Sequence, residues 1–199
     1  MENWKKEALS LAKTSILEEF QMADLSRYYP QNKELLEKWA CFVTLKRKNP
    51  IKKTWDLRWC IWSIIAYREL YKDIIENAKN AAFKDPRFLP LTFEETKDLI
   101  VEISVLTEPE EKNFENIQDL ILFLEKNKPG LIIKLFWRQA TFLPSVWEEI
   151  ENAEQFLIHL IYKAWLSPEE FVQNFSQAEI FIYSSIEFKD FWENIEIID

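Results

Sequence analysis

Apolar residues recur along this chain at two spacings, and each spacing predicts a different element of secondary structure. In residues 2–20 they return every four positions, as on the buried face of an amphipathic helix. The same period predicts helices over 67–83 and 116–126, and the run "AEQFLIHLIYKAWL" is also helical. In residues 99–106, "LIVEISVL", the side chains alternate between the two faces of a strand. The chain therefore contains both helices and strands.

Further strands are predicted in pairs. The alternating residues 41–45 and a second strand near 56–63 flank a basic loop, which is typical of a β-hairpin. The run "LIIKLFWRQATFL" predicts two short strands with a tight turn near Phe136 and Trp137. Residues 178–188 predict one last strand, and we expect the acidic end beyond it to be frayed.

The order of these elements indicates the fold class. Helices and strands are interspersed without regular βαβ alternation, which favours an α+β fold over a doubly wound sheet. We expect a mixed or antiparallel sheet flanked by helices, with a smaller second lobe. A length of 199 residues fits one domain. We predict a single two-lobed domain over 1–188, followed by an acidic C-terminal tail over 189–199.

The charge of the chain excludes one broad class of function. Its formal net charge is −9, so it lacks the clustered positive charge on which non-specific binding of nucleic acid depends. The basic stretch "LKRKNPIKK" (45–53) is interpreted as a solvated hairpin loop. No apolar run approaches the roughly 20 residues that span a bilayer, and the N-terminus is neither a signal peptide nor an anchor. We therefore expect no membrane partner and a cytoplasmic location.

The glycine content is unexpected. Average usage is about 7%, so a chain of this length would carry roughly 14 glycines. It has one, Gly130, together with nine tryptophans. Glycine serves backbone positions with positive φ at the lowest steric cost. A fold with many turns and almost no glycine is therefore physically suspicious.

Six strings of residues occur in an order and spacing that identify a family. They are "FVTLK", "LRWCIWS", "AAFKDPRFLPLT", "VEISVL", "RQATFLPSVWE" and "FLIHLIYKAWL". Together they resemble the AMMECR domain family, which is named for a chromosomal region linked to Alport syndrome, midface hypoplasia and elliptocytosis. The resemblance runs from the first helix to about residue 173. It implies an AMMECR-like α+β fold with a larger and a smaller lobe.

At seven places this chain has tryptophan where the family pattern has glycine. The family motif around the cysteine reads Leu-Arg-Gly-Cys-Ile-Gly-Ser, and Trp59 and Trp62 take both glycine positions here. The other five are Trp4, Trp39, Trp55, Trp137 and Trp165. A tryptophan at a strained or tightly packed glycine position costs roughly 1–3 kcal/mol. Seven such costs would rival the whole stability of a typical domain, about 5–15 kcal/mol.

This pattern suggests that the seven tryptophans are misread glycines. Our hypothesis is that the gene comes from a lineage in which UGA encodes glycine and was translated with a table in which UGA encodes tryptophan. Trp147 matches a tryptophan of the family, so its codon is expected to be UGG. The alternative is a genuine aromatic cluster, because aromatic residues are common on strand faces.

Cys60 is the first candidate for chemistry, since it lies in the most distinctive family motif. Arg58 is two residues away, which places both on one face of a regular strand, and a nearby guanidinium favours the reactive thiolate. Glycines in place of Trp59 and Trp62 would let a ligand approach the backbone closely. The alternative is that Cys60 is a small buried apolar residue, as most free cysteines are.

Other candidates are weaker. His159 is the only histidine and would give Cys60 a base, although a partly buried structural histidine is the simpler interpretation. Arg138 and Thr141 lie in the specific family string "RQATFLP", which implies a role in ligand binding, although the β-branched Thr141 also suits a strand on propensity alone. With Cys41 as the second cysteine, the chain has no zinc constellation, and we predict neither a metal nor a cofactor.

Two classes of function remain open. Members of the resembled family are often encoded beside, or fused to, a Memo-like protein and a radical S-adenosylmethionine protein. The resemblance therefore implies an enzyme or enzyme component in a shared modification pathway, with its site around Cys60. The alternative is a non-catalytic ligand-binding or adaptor module that presents the same strand to a partner.

Overall fold

The chain folds into two compact units. The computed structural model describes residues 1–48, 66–150 and 152–198, and the strand pairing of 55–62. The first unit comprises 1–106 together with 186–199, and the second comprises 107–185. The fold is α+β with antiparallel strand pairs and a smaller second unit, which confirms the predicted fold class.

The described helices and strands follow the predicted order closely. The helices are α1 (Asn3–Glu19), α2 (Leu70–Lys84), α3 (Ile117–Asn127), α4 (Ala153–Lys163) and α5 (Pro168–Gln173). The strands are β1 (Cys41–Lys48), β2 (Trp55–Trp62), β3 (Leu99–Leu106), β4 (Glu110–Glu111), β5 (Gly130–Leu135), β6 (Arg138–Phe142), β7 (Glu179–Tyr183) and β8 (Ser185–Phe191). Short 3-10 helices connect several of them.

The core of the first unit forms where α1 and α2 cover one face of a four-stranded sheet. The strand order of that sheet is β2-β1-β3-β8. Alternate residues of β1, among them Val43 and Leu45, are fully buried in this core, as are Val101 and Ile103 of β3. The four-residue period of α1 places Ala8, with its apolar neighbours along the helix, against the same core.

The second unit has its own sheet and its own core. Its strand order is β4-β7-β5-β6, and the predicted hairpin of β5 and β6 is confirmed, with Leu135 opposite Arg138. The rings of Trp147 and Phe156 stack with their centroids 3.8 Å apart in this core. Asn152 caps the N-terminus of α4, because its side chain accepts a hydrogen bond from the backbone N–H three residues later.

The last predicted strand, over 178–188, is instead two strands in two different sheets. β7 belongs to the second sheet and β8 to the first, and Ser184 lies between them. The backbone of Ser184 pairs with Thr107: Thr107 N–H donates to Ser184 O at 2.9 Å, and Ser184 N–H donates to Thr107 Oγ1 at 2.9 Å. Alternation continues through both strands, so the pattern does not mark the point where the chain leaves one sheet for the other.

The C-terminal segment is packed rather than frayed, which corrects that expectation. Trp192 and Ile195 are buried in the first core. The buried Lys13 of α1 donates hydrogen bonds to both of their carbonyl oxygens, at 2.8 and 2.7 Å. Thr14 Oγ1 accepts a further bond from Ile198 N–H at 3.0 Å. The end was expected to be frayed because it is acidic, but its apolar residues hold it in place.

Substitution of Lys13 by methionine is expected to loosen this segment. The Trp192 and Ile195 carbonyl groups would lose their charged donor, and an unsatisfied buried polar group costs about 1–3 kcal/mol. We expect urea unfolding to show that loss in free energy, and trypsin to cleave faster after the exposed Lys189. The control is Lys6→Met on an exposed position of α1, which should change stability by less than about 0.5 kcal/mol. Equal stability of the two variants would contradict the role of Lys13.

Candidate functional site

The strand that carries Cys60 lies at one end of the first sheet. β2 pairs with β1 in the predicted antiparallel hairpin, and Cys60 stands opposite Thr44. Thr44 in turn stands opposite Glu102 of β3, so the three residues share one row across three strands. The side chains of Cys60, Arg58, Trp59 and Trp62 lie outside the described residues, and their predicted roles stay predictions.

The pairing of β2 is interrupted by a β-bulge at Arg58. Leu45 stands opposite Trp59, and the next residue, Lys46, stands opposite Leu57, so Arg58 is the extra residue of β2. Bulges re-aim side chains and are common beside active sites. The sequence pattern gave no sign of this bulge.

On the same face, the described neighbours of this row are mixed: Ser104 and Lys46 are polar, and Phe42 and Ile100 are apolar. Thr44 is buried, and Lys46 donates to both carboxylate oxygens of Glu102, at 2.8 and 3.1 Å. The Lys189 ammonium lies 3.7 Å from the same carboxylate. These residues alternate along β1 and β3 with those of the α1–α2 core, so they lie on the opposite face. That face can present the charged groups of Lys46, Glu102 and Lys189 to a ligand.

A buried polar cluster anchors the start of β1 to α2. The Asp73 carboxylate accepts hydrogen bonds from Cys41 N–H at 3.0 Å, Arg68 Nε at 2.9 Å and Asn77 Nδ2 at 3.0 Å. The pKa of the Cys41 thiol is raised well above its ordinary value. Burial is the largest cause, and the charge of Asp73 is the second. Cys41 is therefore a structural thiol. This cluster was not predicted, although Asp73 and Asn77, polar residues four apart on the apolar side of α2, were its signal in the sequence.

Arg138 links the β5–β6 hairpin to the segment that follows α4. Its Nη1 donates to the Trp165 carbonyl oxygen at 2.9 Å, and its guanidinium forms an ion pair with Glu170 of α5. The hydrogen bond and charge of Arg138 lower the pKa of the Glu170 carboxyl. The geometry thus gives Arg138 a structural bond network, and its predicted ligand contact stays a prediction.

Thr141 is buried in the second unit, where it is hydrogen-bonded to a tyrosine. Its Oγ1 lies 3.0 Å from the Leu131 carbonyl oxygen and 2.8 Å from the Tyr183 hydroxyl, which donates to Phe142 O at 2.9 Å. A Cβ on Gly130 would lie 2.6 Å from the Tyr183 ring, so the only glycine of the chain is there to admit that ring. Tyr183 was not singled out from the sequence.

His159 is exposed, which corrects the expectation that it is partly buried. The buried face of α4 consists of residues such as Phe156 and Leu160, and His159 falls outside it. It belongs to the second unit, whereas Cys60 belongs to the first.

Among the described residues there is no group of three or more histidine, cysteine or acidic side chains that could hold a metal ion. Nor does any helix in the described ranges have the length and apolar character needed to cross a bilayer.

The described tryptophans at family glycine positions differ in their surroundings. Trp4 is buried in the first core, where its ring meets Trp39 edge-on. Trp137 and Trp165 are 86% and 88% exposed. Of the four, only Trp165 has a positive φ, 59°, and in the β5–β6 turn the positive φ belongs to Phe136.

Trp165 occupies the glycine position of a helix C-terminal cap. After α4, Trp165 N–H donates to Tyr162 O at 2.9 Å and Leu166 N–H donates to Ile161 O at 3.1 Å. These two bonds define the Schellman motif, whose left-handed residue is most often glycine. The local geometry at this one position is therefore that of a glycine.

Comparison with known proteins agrees with the fold and the motifs. Residues 9–188 match the model of the AMMECR1 family. The protein LS215_2104 of Saccharolobus islandicus is 36% identical over 174 residues, covering 83% of this chain and 73% of that protein. A protein of Methanosarcina acetivorans is 36% identical over 159 residues, covering 79% and 75%. The crystal structure of the uncharacterized protein PH0010 from Pyrococcus horikoshii superimposes with a TM-score of 0.84 at 29% identity, covering 96% of this chain and 93% of that one. This chain therefore belongs to the AMMECR1 family.

Proposed function

We propose that this protein is a component of a modification pathway, acting with a Memo-like protein and a radical S-adenosylmethionine protein, and that its site is centred on Cys60. The observation that carries the proposal is the position of Cys60 on a bulged strand at the end of the first sheet. In this role the Cys60 thiolate is the nucleophile, and Arg58 stabilises its negative charge.

The described residues support this site in two ways. Glu102, Lys46 and Lys189 supply charged groups on the sheet face opposite the core, in or beside the row of Cys60. A ligand could therefore find polar partners within two strands of the thiol, since neighbouring strands lie about 4.8 Å apart. Cys41 does not compete for this role, because it is fully buried and its pKa is raised.

The second candidate is a non-catalytic ligand-binding or adaptor module built on the same strand. The observation that favours it is the place of β2 at the end of the strand order β2-β1-β3-β8. A strand at the end of a sheet can also pair with an extended segment of a partner without any chemistry.

The pH dependence of alkylation distinguishes the two candidates. With iodoacetamide we expect one fast-reacting thiol whose apparent pKa lies below the ordinary value of about 8.5. Cys60→Ser should abolish the fast phase, whereas Cys41→Ser should leave it unchanged. Arg58→Met should raise the apparent pKa towards the ordinary value, and Arg58→Lys should restore part of the shift. An ordinary pKa in the unmodified protein would exclude the nucleophile and favour the adaptor.

We also propose that the native protein has glycine at the seven tryptophan positions that depart from the family pattern. Two observations support this proposal: the chain has only one glycine, and Trp165 has a positive φ. With glycines at 59 and 62 the backbone beside Cys60 would be open to a ligand. Reading the gene tests this directly: UGA at all seven codons with UGG at Trp147 is the expected result, and UGG at all seven would refute it. The neighbouring genes test the two proposed pathway partners at the same time.

A stability comparison tests the local preference for glycine. Trp165→Gly should stabilise the chain by about 1 kcal/mol, because a residue with a Cβ is strained in the left-handed conformation. The matched control is Trp147→Gly, which removes a buried ring that stacks on Phe156 and should cost at least about 3–5 kcal/mol. Urea unfolding measures both values. Destabilisation by Trp165→Gly would show that the exposed ring is a genuine part of the structure.

A further inference from the structure

Two side chains of α2 bind the residue of β1 that lies just beyond its pairing with β2. That pairing ends at Phe42 and Trp62, and the next residue of β1 is Cys41. The Asp73 carboxylate accepts a hydrogen bond from Cys41 N–H at 3.0 Å, and Asn77 Nδ2 donates to Cys41 O at 3.0 Å. Asp73 and Asn77, the α2 anchor, therefore satisfy both backbone groups of Cys41, as a strand partner would.

The backbone groups of Cys41 are directed to the β2 side of β1. In an antiparallel ladder, pairs that exchange hydrogen bonds alternate with pairs that do not. Leu106 N–H donates to Ala40 O at 2.9 Å, so Ala40 is bonded towards β3 and Cys41, one residue later, is directed away from β3. The α2 anchor thus takes the place of the next hydrogen-bonded pair of the β1–β2 ladder.

The same alternation defines the pair that contains Cys60. Thr44 is four residues after Ala40, so its backbone groups are directed to β3, and its pair with Cys60 exchanges no hydrogen bonds. The Cα atoms of such a pair lie about 4.5 Å apart, with their side chains close together. The position of Cys60 opposite Thr44 therefore depends on the register that the neighbouring pairs hold.

The register of β2 is weakly determined by the strand itself. The bulge at Arg58 divides its pairing with β1 into two registers. Register is also weakly specified in glycine-rich strands, and the native protein is proposed to have glycine at 59 and 62. A slip of β2 by two residues towards Cys41 would keep each side chain on its face and would move Cys60 away from Thr44. The α2 anchor opposes this slip, because a longer ladder would displace two buried polar side chains.

The anchor is itself held in one arrangement. Asp73 and Asn77 are 1% and 3% exposed. One carboxylate oxygen of Asp73 also accepts from Asn77 Nδ2 at 3.0 Å, and the other accepts from Arg68 Nε at 2.9 Å. Displacing these side chains would break several buried hydrogen bonds at once, and each group left unsatisfied opposes the change.

We propose that Asp73 and Asn77 are positioning residues, which end the β1–β2 ladder and thereby hold Cys60 opposite Thr44. The register is a property of the fold and does not depend on any chemistry. Its consequence for reactivity rests on the proposed function of Cys60, because only a nucleophilic thiol needs a fixed place in the row of Thr44 and Glu102.

A disulfide in the full chain reports the register. Thr44→Cys places a thiol opposite Cys60 at a Cα separation within the range of about 4.4–6.8 Å that a disulfide spans. We expect diamide to form this bond, and tandem mass spectrometry of tryptic peptides to assign it to positions 44 and 60. Lys46→Cys, two residues further along β1, should form no bond with Cys60. Absence of the disulfide in Thr44→Cys would contradict the register from which the proposal is derived.

Variants of the anchor then test its role in the Thr44→Cys chain. Asn77→Leu and Asp73→Leu should each slow disulfide formation about three- to tenfold, because each removes at least one hydrogen bond to Cys41. Asp73→Asn keeps an acceptor oxygen and should retain most of the rate. The control is Lys13→Met, which weakens the same unit at the C-terminal segment. An unchanged rate in Asn77→Leu, or an equal loss in Lys13→Met, would overturn the positioning role.

Alkylation of the chain with Thr44 intact tests the consequence for reactivity. Asn77→Leu should move the apparent pKa of Cys60 towards the ordinary value of about 8.5. An unchanged pH profile beside a slower disulfide would overturn the link between register and reactivity. An ordinary pKa in the unmodified chain would refute the proposed nucleophile, while the disulfide rates would still decide the register.

Discussion

The burial of one face of the first sheet beneath α1 and α2 is the constraint on which the rest of the first unit depends. Once Val43 and Leu45 of β1 lie in that core, the residues between and after them must face the other way. This places Thr44 and Lys46 on the polar face. The same interface encloses the Asp73 carboxylate. A buried charge of this kind is tolerated only with several donors, and the structure provides them.

The second unit depends on a different constraint, the close approach of a ring to the backbone. Tyr183 can lie against Gly130 only because that residue has no Cβ, and its hydroxyl then reaches Thr141 and the Phe142 carbonyl group. One residue therefore connects β5, β6 and β7. This explains why a chain with so few glycines has one at this position.

Local periodicity predicted most of the elements, because the pattern of a single helix or strand is set by the core it faces. α1 and β3 were found in this way, and so was the turn at Phe136. What escaped prediction depends on partners distant in sequence. Three features require contacts that no local pattern records. They are the division of 178–188 between two sheets, the anchoring of the C-terminus by Lys13 and the donors around Asp73.

The bulge at Arg58 could not be predicted either. An extra residue in one strand becomes visible only when the partner register is known, and the alternating pattern of β2 alone is compatible with a regular ladder. The exposure of His159 has a similar origin. Its neighbours Phe156 and Leu160 define a narrow buried face on α4, and the sequence did not show how narrow that face is.

The predicted replacement of tryptophan by glycine has different consequences in the two units. Four described residues have positive φ, namely Gln21, Lys128, Phe136 and Trp165, and only Trp165 is among the seven tryptophans predicted to be misread glycines. Restoring glycine would thus relieve strain in the described part of the chain at one point. In β2 the consequence is larger, since glycines at 59 and 62 would flank Cys60 on a strand whose one described neighbour is β1. Glycine weakens a strand and clears space beside its backbone. Under the proposed function, a weaker strand at that position would give access to the thiol, while the core on the opposite face of β1 keeps the rest of the sheet in place.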